Sequence, residues 1–284
     1  MSAFAVSSPV TRRRITIAVM LAPGLLVFML LFAFPLLNTV RLSLAGPDGL
    51  SWFRYAEFAR DPEAMRSLGI AGFLALACTA LVFLLSLPLA LMARRPGVLL
   101  KVLQPMILLP LVMPPIISAF GLLIFWKNNG WFNLFLVQVL GFDAPVKINY
   151  SMTGLVLFYV WLYLPYTLLN AISSVRAIDP AVEHAARVAG ARDFIVFRRI
   201  TLPLMMPGLT TGSILTFVMA FGAFTVPLIA GGNIRPIAVQ VYTVATVFNK
   251  WETASAMAMV MAVIQVIVLG AFLARGMGRP RRAA

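Results

Sequence analysis

The chain has 284 residues, 61% of them hydrophobic and only 11% charged, against roughly a quarter charged in an ordinary soluble domain. That balance excludes a water-soluble globular protein, and the single cysteine, Cys78, excludes a disulfide framework within the chain. The formal net charge of +14 resembles a nucleic-acid footprint only until its placement along the chain is considered.

Six charge-free apolar runs follow one another at 15–40, 68–93, 102–126, 151–173, 208–230 and 253–274. Each is long enough to cross a hydrocarbon core of roughly 30 Å. Amides in that core must find partners within their own segment, so the runs are read as helices despite their Val, Ile and Phe content. The expected fold is an all-α integral membrane protein with six transmembrane helices, a tail at 1–14 and a tail at 275–284. Prolines fall inside the runs, including Pro23, Pro35, Pro88, Pro110, Pro114, Pro115, Pro165 and Pro227, and predict bent helices. The first run is about twice the length of a signal-peptide core and no Ala-x-Ala site follows it, so it is read as an uncleaved helix. Three further pieces, 52–66, 131–142 and 237–248, suit short helices at the outer interface.

Arg and Lys placement sets the orientation. With the N-terminus in the cytoplasm, the inner segments hold Arg12, Arg13, Arg14, Arg94, Arg95, Lys101, Arg176, Arg187, Arg192, Arg198, Arg199, Arg275, Arg279, Arg281 and Arg282. Only Asp179, Glu183 and Asp193 oppose them there. Both termini are therefore expected in the cytoplasm. The positive charge is a topology signal, and no nucleic-acid partner is expected.

The one sizeable inner loop, 175–207, carries more pattern than a connector needs. Asp179-Pro180 is a helix start, with a side-chain acceptor followed by a ring whose missing N–H costs nothing there. Val182, Ala185, Ala186 and Ala189 repeat on one helical face, and Gly190 stops the helix. Phe194, Phe197 and Ile200 then follow at helical spacing, with Pro203 and Pro207 bracketing the entry to the fifth run. Two short helices at an angle are predicted, small and apolar on one side, a shape suited to insertion in a cleft of another protein.

The stretch Glu183-His184-Ala185-Ala186-Arg187-Val188-Ala189-Gly190-Ala191, followed by Phe194, Phe197, Ile200-Thr201-Leu202-Pro203 and Pro207, resembles the EAA loop of permease subunits of binding-protein-dependent ABC importers. His184 stands where the family commonly has alanine. The resemblance implies a coupling helix held in a groove of a cytosolic ABC ATPase dimer. On that basis Glu183 and Gly190 shape and anchor the loop, Ala185, Ala186 and Phe197 contact the ATPase, and Leu202 and Pro203 belong to the same site. The implied partners are that ATPase dimer, a second and related permease subunit, an extracytoplasmic solute-binding protein and the lipid bilayer of a bacterial inner membrane.

No phosphate-cradling Gly-x-x-x-x-Gly-Lys-Ser/Thr stretch occurs in the sequence, nor His-Glu-x-x-His, Cys-x-x-Cys or Gly-x-Ser-x-Gly. The chain is read as a non-enzyme without a cofactor of its own, ATP and Mg being bound by the partner. An ion-coupled secondary transporter is the competing class, but none of the nine acids lies centrally in a run, where such proteins place their relays. Polar groups within the runs that would line a solute path are Asn38, Gln104, Asn170, Thr216 and Gln265, each also suited to an interhelical hydrogen bond. Leu109-Pro110-Leu111-Val112-Met113-Pro114-Pro115 and Gly222-Ala223-Phe224-Thr225-Val226-Pro227 resemble the spermidine/putrescine-type permeases, implying a polyamine as the solute. Iron, thiamine, sulfate and phosphonate permeases share these short stretches.

Overall fold

The computed structural model describes residues 9–47, 49–94 and 98–277. Of the expected tails, 1–8 and 278–284 fall outside the described residues. Among the described residues, five helices are long and apolar enough to cross a membrane: Thr16–Ser43, Pro62–Met92, Met152–Arg176, Asp193–Phe221 and Trp251–Phe272. Among the described residues the fold is all-α apart from one two-residue antiparallel ladder, Ala45–Gly46 against Gly49–Leu50.

The first span is peripheral. None of its most apolar window is buried within the chain, and its last stretch, Phe34–Ser43, packs against the final helix, Trp251–Met277. Midway, Met29–Ala33 form a π-helical turn in which the Phe34 N–H bonds the Met29 carbonyl. Pro35 follows at once. A proline ring collides with the carbonyl four residues back and has no N–H to give it, so one extra residue in the turn absorbs the conflict without ending the helix.

Three helices make the core. Asp61 starts the first of them: its Oδ1 accepts the Glu63 N–H at 2.9 Å, and Pro62 takes the first helical position. The piece expected as one interfacial helix over 52–66 therefore divides at Asp61, into Phe53–Arg60 and the head of Pro62–Met92. Pro62–Met92 buries a seam of small residues including Ala64, Ala71, Ala75, Cys78, Ser86 and Ala90. Met152–Arg176, capped by Ser151, is the most enclosed of the spans, with 61% of its window buried. Leu202–Phe221 buries Gly208, Gly212, Ser213 and Thr216. Each of these three helices packs on the other two. Lipid tails are as apolar as leucine, so close approach of small residues and interhelical hydrogen bonds replace the hydrophobic drive. The buried Thr167–Thr216 hydroxyl pair, 2.8 Å apart, is one such bond.

Two of the expected spans differ from the structure. The run at 102–126 is not one helix: Val98–Val112 and Pro115–Phe125 are separated at Met113 and Pro114. Pro115 disfavours helical geometry at the residue before it, and Pro114 is accordingly extended, at φ −55 and ψ 135. The run at 208–230 is displaced. Its helix starts at Asp193, passes through Pro203 and Pro207 and stops at Phe221; Thr225–Ala230 is a separate short helix. Arg198 and Arg199 interrupt any charge-free stretch, yet both lie on this helix near its start, where long basic side chains reach polar surroundings.

Gly212 measures how closely the core is packed, since a Cβ there would stand 2.5 Å from the Thr167 Cα. Gly212→Ala is expected to cost about 1–3 kcal/mol and to lower the melting midpoint of the detergent-purified chain. Gly121→Ala, where a Cβ meets nothing within 4 Å, is expected not to lower it.

Candidate functional site

The elbow between the fourth and fifth spans consists of Pro180–Val188, Asp193–Val196 and the π-helical turn Phe197–Thr201 that leads into Leu202–Phe221. Asp179 caps the first piece through its Oδ1, which accepts the Ala181 N–H at 2.8 Å. The far end closes in two bonds: Gly190 N–H to the Arg187 carbonyl at 2.9 Å and Ala191 N–H to the Ala186 carbonyl at 3.0 Å. That pairing requires a left-handed residue between, and Gly190 supplies it at φ +88. Across the bend, Arg187 Nε donates to Asp193 Oδ1 at 2.8 Å. Both side chains are open to solvent, so this pair steers the angle more than it stabilises.

Among the described residues of Pro180–Val188, Glu183 alone is buried. Its Oε1 accepts two hydrogen bonds of 2.6 Å each, from Arg94 Nη1 and from Thr201 Oγ1. Arg94 lies in the turn just past the Pro62–Met92 helix, and its Nη2 also donates to the Ile178 carbonyl at 3.1 Å. Arg176, the last residue of the fourth span, donates from Nη2 to the Ala93 carbonyl at 3.2 Å. The two arginines thus cross-link adjacent helix C-termini, where unpaired carbonyls and the helix dipole favour cations. Burial opposes the charged form of Glu183. The Thr201 and Arg94 hydrogen bonds and the Arg94 charge outweigh it and hold the carboxyl below its ordinary pKa.

Apart from Val196 and Thr201, which are buried, much of the rest of the elbow faces outward. Val188 is 75% and Phe194 68% exposed, with Val182 and Ile195 also open. Of the residues expected at the site, Ala185 and Pro203 are exposed and Ala186 and Phe197 half-buried. Leu202 turns inward onto a cluster of Leu168, Ala171, Val175 and Met205. An open cavity of about 810 Å³ lies in the bend between Glu183, His184, Phe197 and the end of the second span.

The residues expected along a solute path are not gathered in one place. Asn38 is exposed on the first span, and the side chain of Gln104 falls outside the described residues. Asn170 Nδ2 bonds the Tyr166 carbonyl of its own helix at 2.8 Å. Thr216 pairs with Thr167, and Gln265 Nε2 bonds the Val218 carbonyl at 2.9 Å. Arg94 and Thr201 were missed as site residues. Arg94 read only as topology charge, and no local spacing pairs it with Glu183, 89 residues away.

A bundle of apolar helices bearing an elbow of this shape is the architecture of a membrane-spanning transport subunit, and comparison with known proteins identifies the family. The chain belongs to the binding-protein-dependent transport system inner membrane components, whose family model matches residues 86–279. It is 30% identical over 225 residues to the molybdenum transport system permease protein ModB of Mycobacterium tuberculosis, covering 78% of this chain and 83% of that one. It is also 30% identical over 217 residues to the spermidine/putrescine transport system permease protein PotB of Salmonella typhi, covering 72% and 74%. A bacterial ABC transporter involved in the import of the acidic polysaccharide alginate has the same fold, with TM-score 0.77, 17% identity and coverage of 94% of this chain and 98% of that one.

A carboxyl whose folded pKa is depressed stabilises at pH above its unfolded value, and the contribution is lost as pH falls through the folded pKa. Protection of the 181–189 amides, taken as exchange relative to the intrinsic rate at each pH, is therefore expected to hold above the ordinary glutamate value of 4.5 and to fall only at lower pH. Glu183→Gln should remove that acid step and quicken exchange at neutral pH by about tenfold or more, the effect of losing a charged hydrogen-bond partner.

Proposed function

We propose that the chain is the permease subunit of an ATP-driven importer and that its elbow is the docking arm for a separate cytosolic ATPase dimer, which binds the ATP and Mg. The observation that carries this reading is the elbow's combination of a pinned carboxylate inside and an open apolar face outside. Large apolar side chains held in water at a fixed pose are the pattern of a surface awaiting a partner. Family membership supports the class, and the sequence contains no phosphate-cradling loop that would supply the energy itself. The solute passes between this subunit and a second, related permease after delivery by an extracytoplasmic binding protein. Both termini lie in the cytoplasm on this reading, as the Arg and Lys distribution supports.

The solute we assign is a polyamine. PotB similarity supports it, as do Glu57, Asp61 and Glu63, which with Lys250 line a pocket at the end of the bundle opposite the elbow and leave that pocket net acidic. A second reading, an oxyanion, is favoured by the ModB similarity over a longer stretch.

Val188→Asp and Phe194→Asp are each expected to abolish co-purification of the ATPase from detergent while leaving the melting midpoint of the permease in place. ATPase retained at the wild-type level in both variants would sink the docking role. For the solute, hydrolysis by the reconstituted complex is expected to rise when its binding protein is loaded with spermidine and not when it is loaded with molybdate. The reverse result selects the oxyanion. Orientation is testable with Val188→Cys, because native Cys78 is fully buried and contributes little background; an impermeant maleimide should label the new thiol only from the cytosolic side.

A further inference from the structure

Pro180–Val188 is attached to the rest of the chain by very little. Its backbone joins the fourth span at one end and the Gly190 turn at the other, and among the described residues its one buried side chain is Glu183. That carboxylate meets two helices at once, through Arg94 at the end of the second span and Thr201 at the start of the fifth. Arg94 also holds the Ile178 carbonyl just beyond the fourth span, while Arg176 holds the Ala93 carbonyl in return. The second, fourth and fifth spans are therefore tied together at one point, and these are the three helices that pack pairwise along their length.

We propose that Arg94 is the positioning residue through which the elbow moves the bundle, by holding with Thr201 the Glu183 carboxylate. The proposal rests on the docking reading above and adds to it a division of labour within the elbow. Its exposed side, with Val188 and Phe194, grips the partner. The buried side, with Glu183, passes the displacement into the second, fourth and fifth spans as one body. The first span has no part in this joint: it is unburied over its apolar window and meets the bundle through the last helix.

A short, charge-assisted pair suits this task because it resists both stretch and rotation. Arg94 offers a planar fork, one nitrogen to the carboxylate and the other to a carbonyl, so its orientation is fixed in two directions. Thr201 owes its place to the π-helical turn in front of Pro203, in which the Leu202 N–H bonds the Phe197 carbonyl. A π turn inserts one residue relative to α-helical register and so rotates everything before it by about a quarter turn or more.

The test is a charge exchange in the full complex of permease, ATPase and binding protein, read as solute imported per ATP hydrolysed. Arg94→Glu and Glu183→Arg are each expected to lower that ratio by about tenfold or more, the scale of a lost charge-assisted bond, while the ATPase still co-purifies. The double exchange should recover most of the ratio, since the pair is re-formed with its signs reversed. A double variant as poor as either single one, with ATPase bound, overturns the proposal, because the Arg94–Glu183 pair would then not be what carries the coupling. Full coupling in either single variant overturns it too. Should the reversals prevent folding, Thr201→Val removes one of the two bonds and keeps the side chain's shape. A several-fold loss of coupling with ATPase retained is expected, and an unchanged ratio refutes the proposal. Failure of the docking reading looks different, since the wild-type chain itself would then not hold the ATPase.

Discussion

Everything distinctive about the elbow depends on Glu183 being charged in a place that water barely reaches. A carboxylate removed from solvent is costly unless donors replace its hydration. Here two donors meet one oxygen at 2.6 Å, and a guanidinium supplies the opposite charge. The Arg187–Asp193 pair on the same elbow shows the contrast. It is a good hydrogen bond at 2.8 Å, yet its exposure to solvent screens it, so it sets the bend without anchoring it. Removing a partner from the exposed pair leaves solvated groups, whereas removing Arg94 leaves a buried carboxylate without its opposite charge and with one fewer donor.

An anchored elbow transmits displacement only if what it is anchored to is stiff. The three helices it meets are packed through small residues rather than interlocked large ones, and this brings their backbones unusually close. At Gly208 a Cβ would collide with Ser174 and with the Asn170 carbonyl, and at Gly212 with Thr167. Such contacts leave little room for one helix to slide past another. The buried Thr167–Thr216 bond adds a fixed register between the fourth and fifth spans. By contrast, the first span presents nearly all its apolar surface away from the chain, where lipid is its solvent.

The elbow's outline was legible in the sequence because it is local. Asp179 before Pro180 and Gly190 after the alanine face are capping signals that act over a few residues, and the structure uses them as read. What closes the joint is not local: Arg94 and Glu183 meet across 89 residues, and either alone reads as ordinary interfacial charge. Proline was the least reliable guide, for a physical reason. Pro88 and Pro165 sit inside long helices, Pro35 and Pro203 are absorbed by π-helical turns just ahead of them, and Pro114 ends a helix because a second proline follows it. The residue is the same in each case. The outcome depends on whether the preceding turn is free to widen, and a paired proline removes that freedom by fixing the residue before it as extended.

The same reasoning accounts for where the bundle is irregular. Backbone released from helical bonding at membrane depth is tolerated only where protein or a water-lined cavity covers it. The two interruptions in apolar runs, at Met113–Pro114 and at Gly222–Phe224, both lead into short helices, and those two pieces, Pro115–Phe125 and Thr225–Ala230, pack on each other. Nearby, Asn149 Nδ2 bonds the Leu123 carbonyl at 2.8 Å, and Asn133 gathers the Trp126, Lys127 and Val146 carbonyls while accepting the Val146 N–H. Among the described residues the interruptions lie away from the elbow, and side-chain amides cap the last carbonyls of Pro115–Phe125 at that end of the bundle. The elbow end has long, unbroken helices whose tips are tied by Arg94 and Arg176. On the docking reading proposed above, force enters where helix is continuous, and the interrupted helix lies where the bundle has room to change shape.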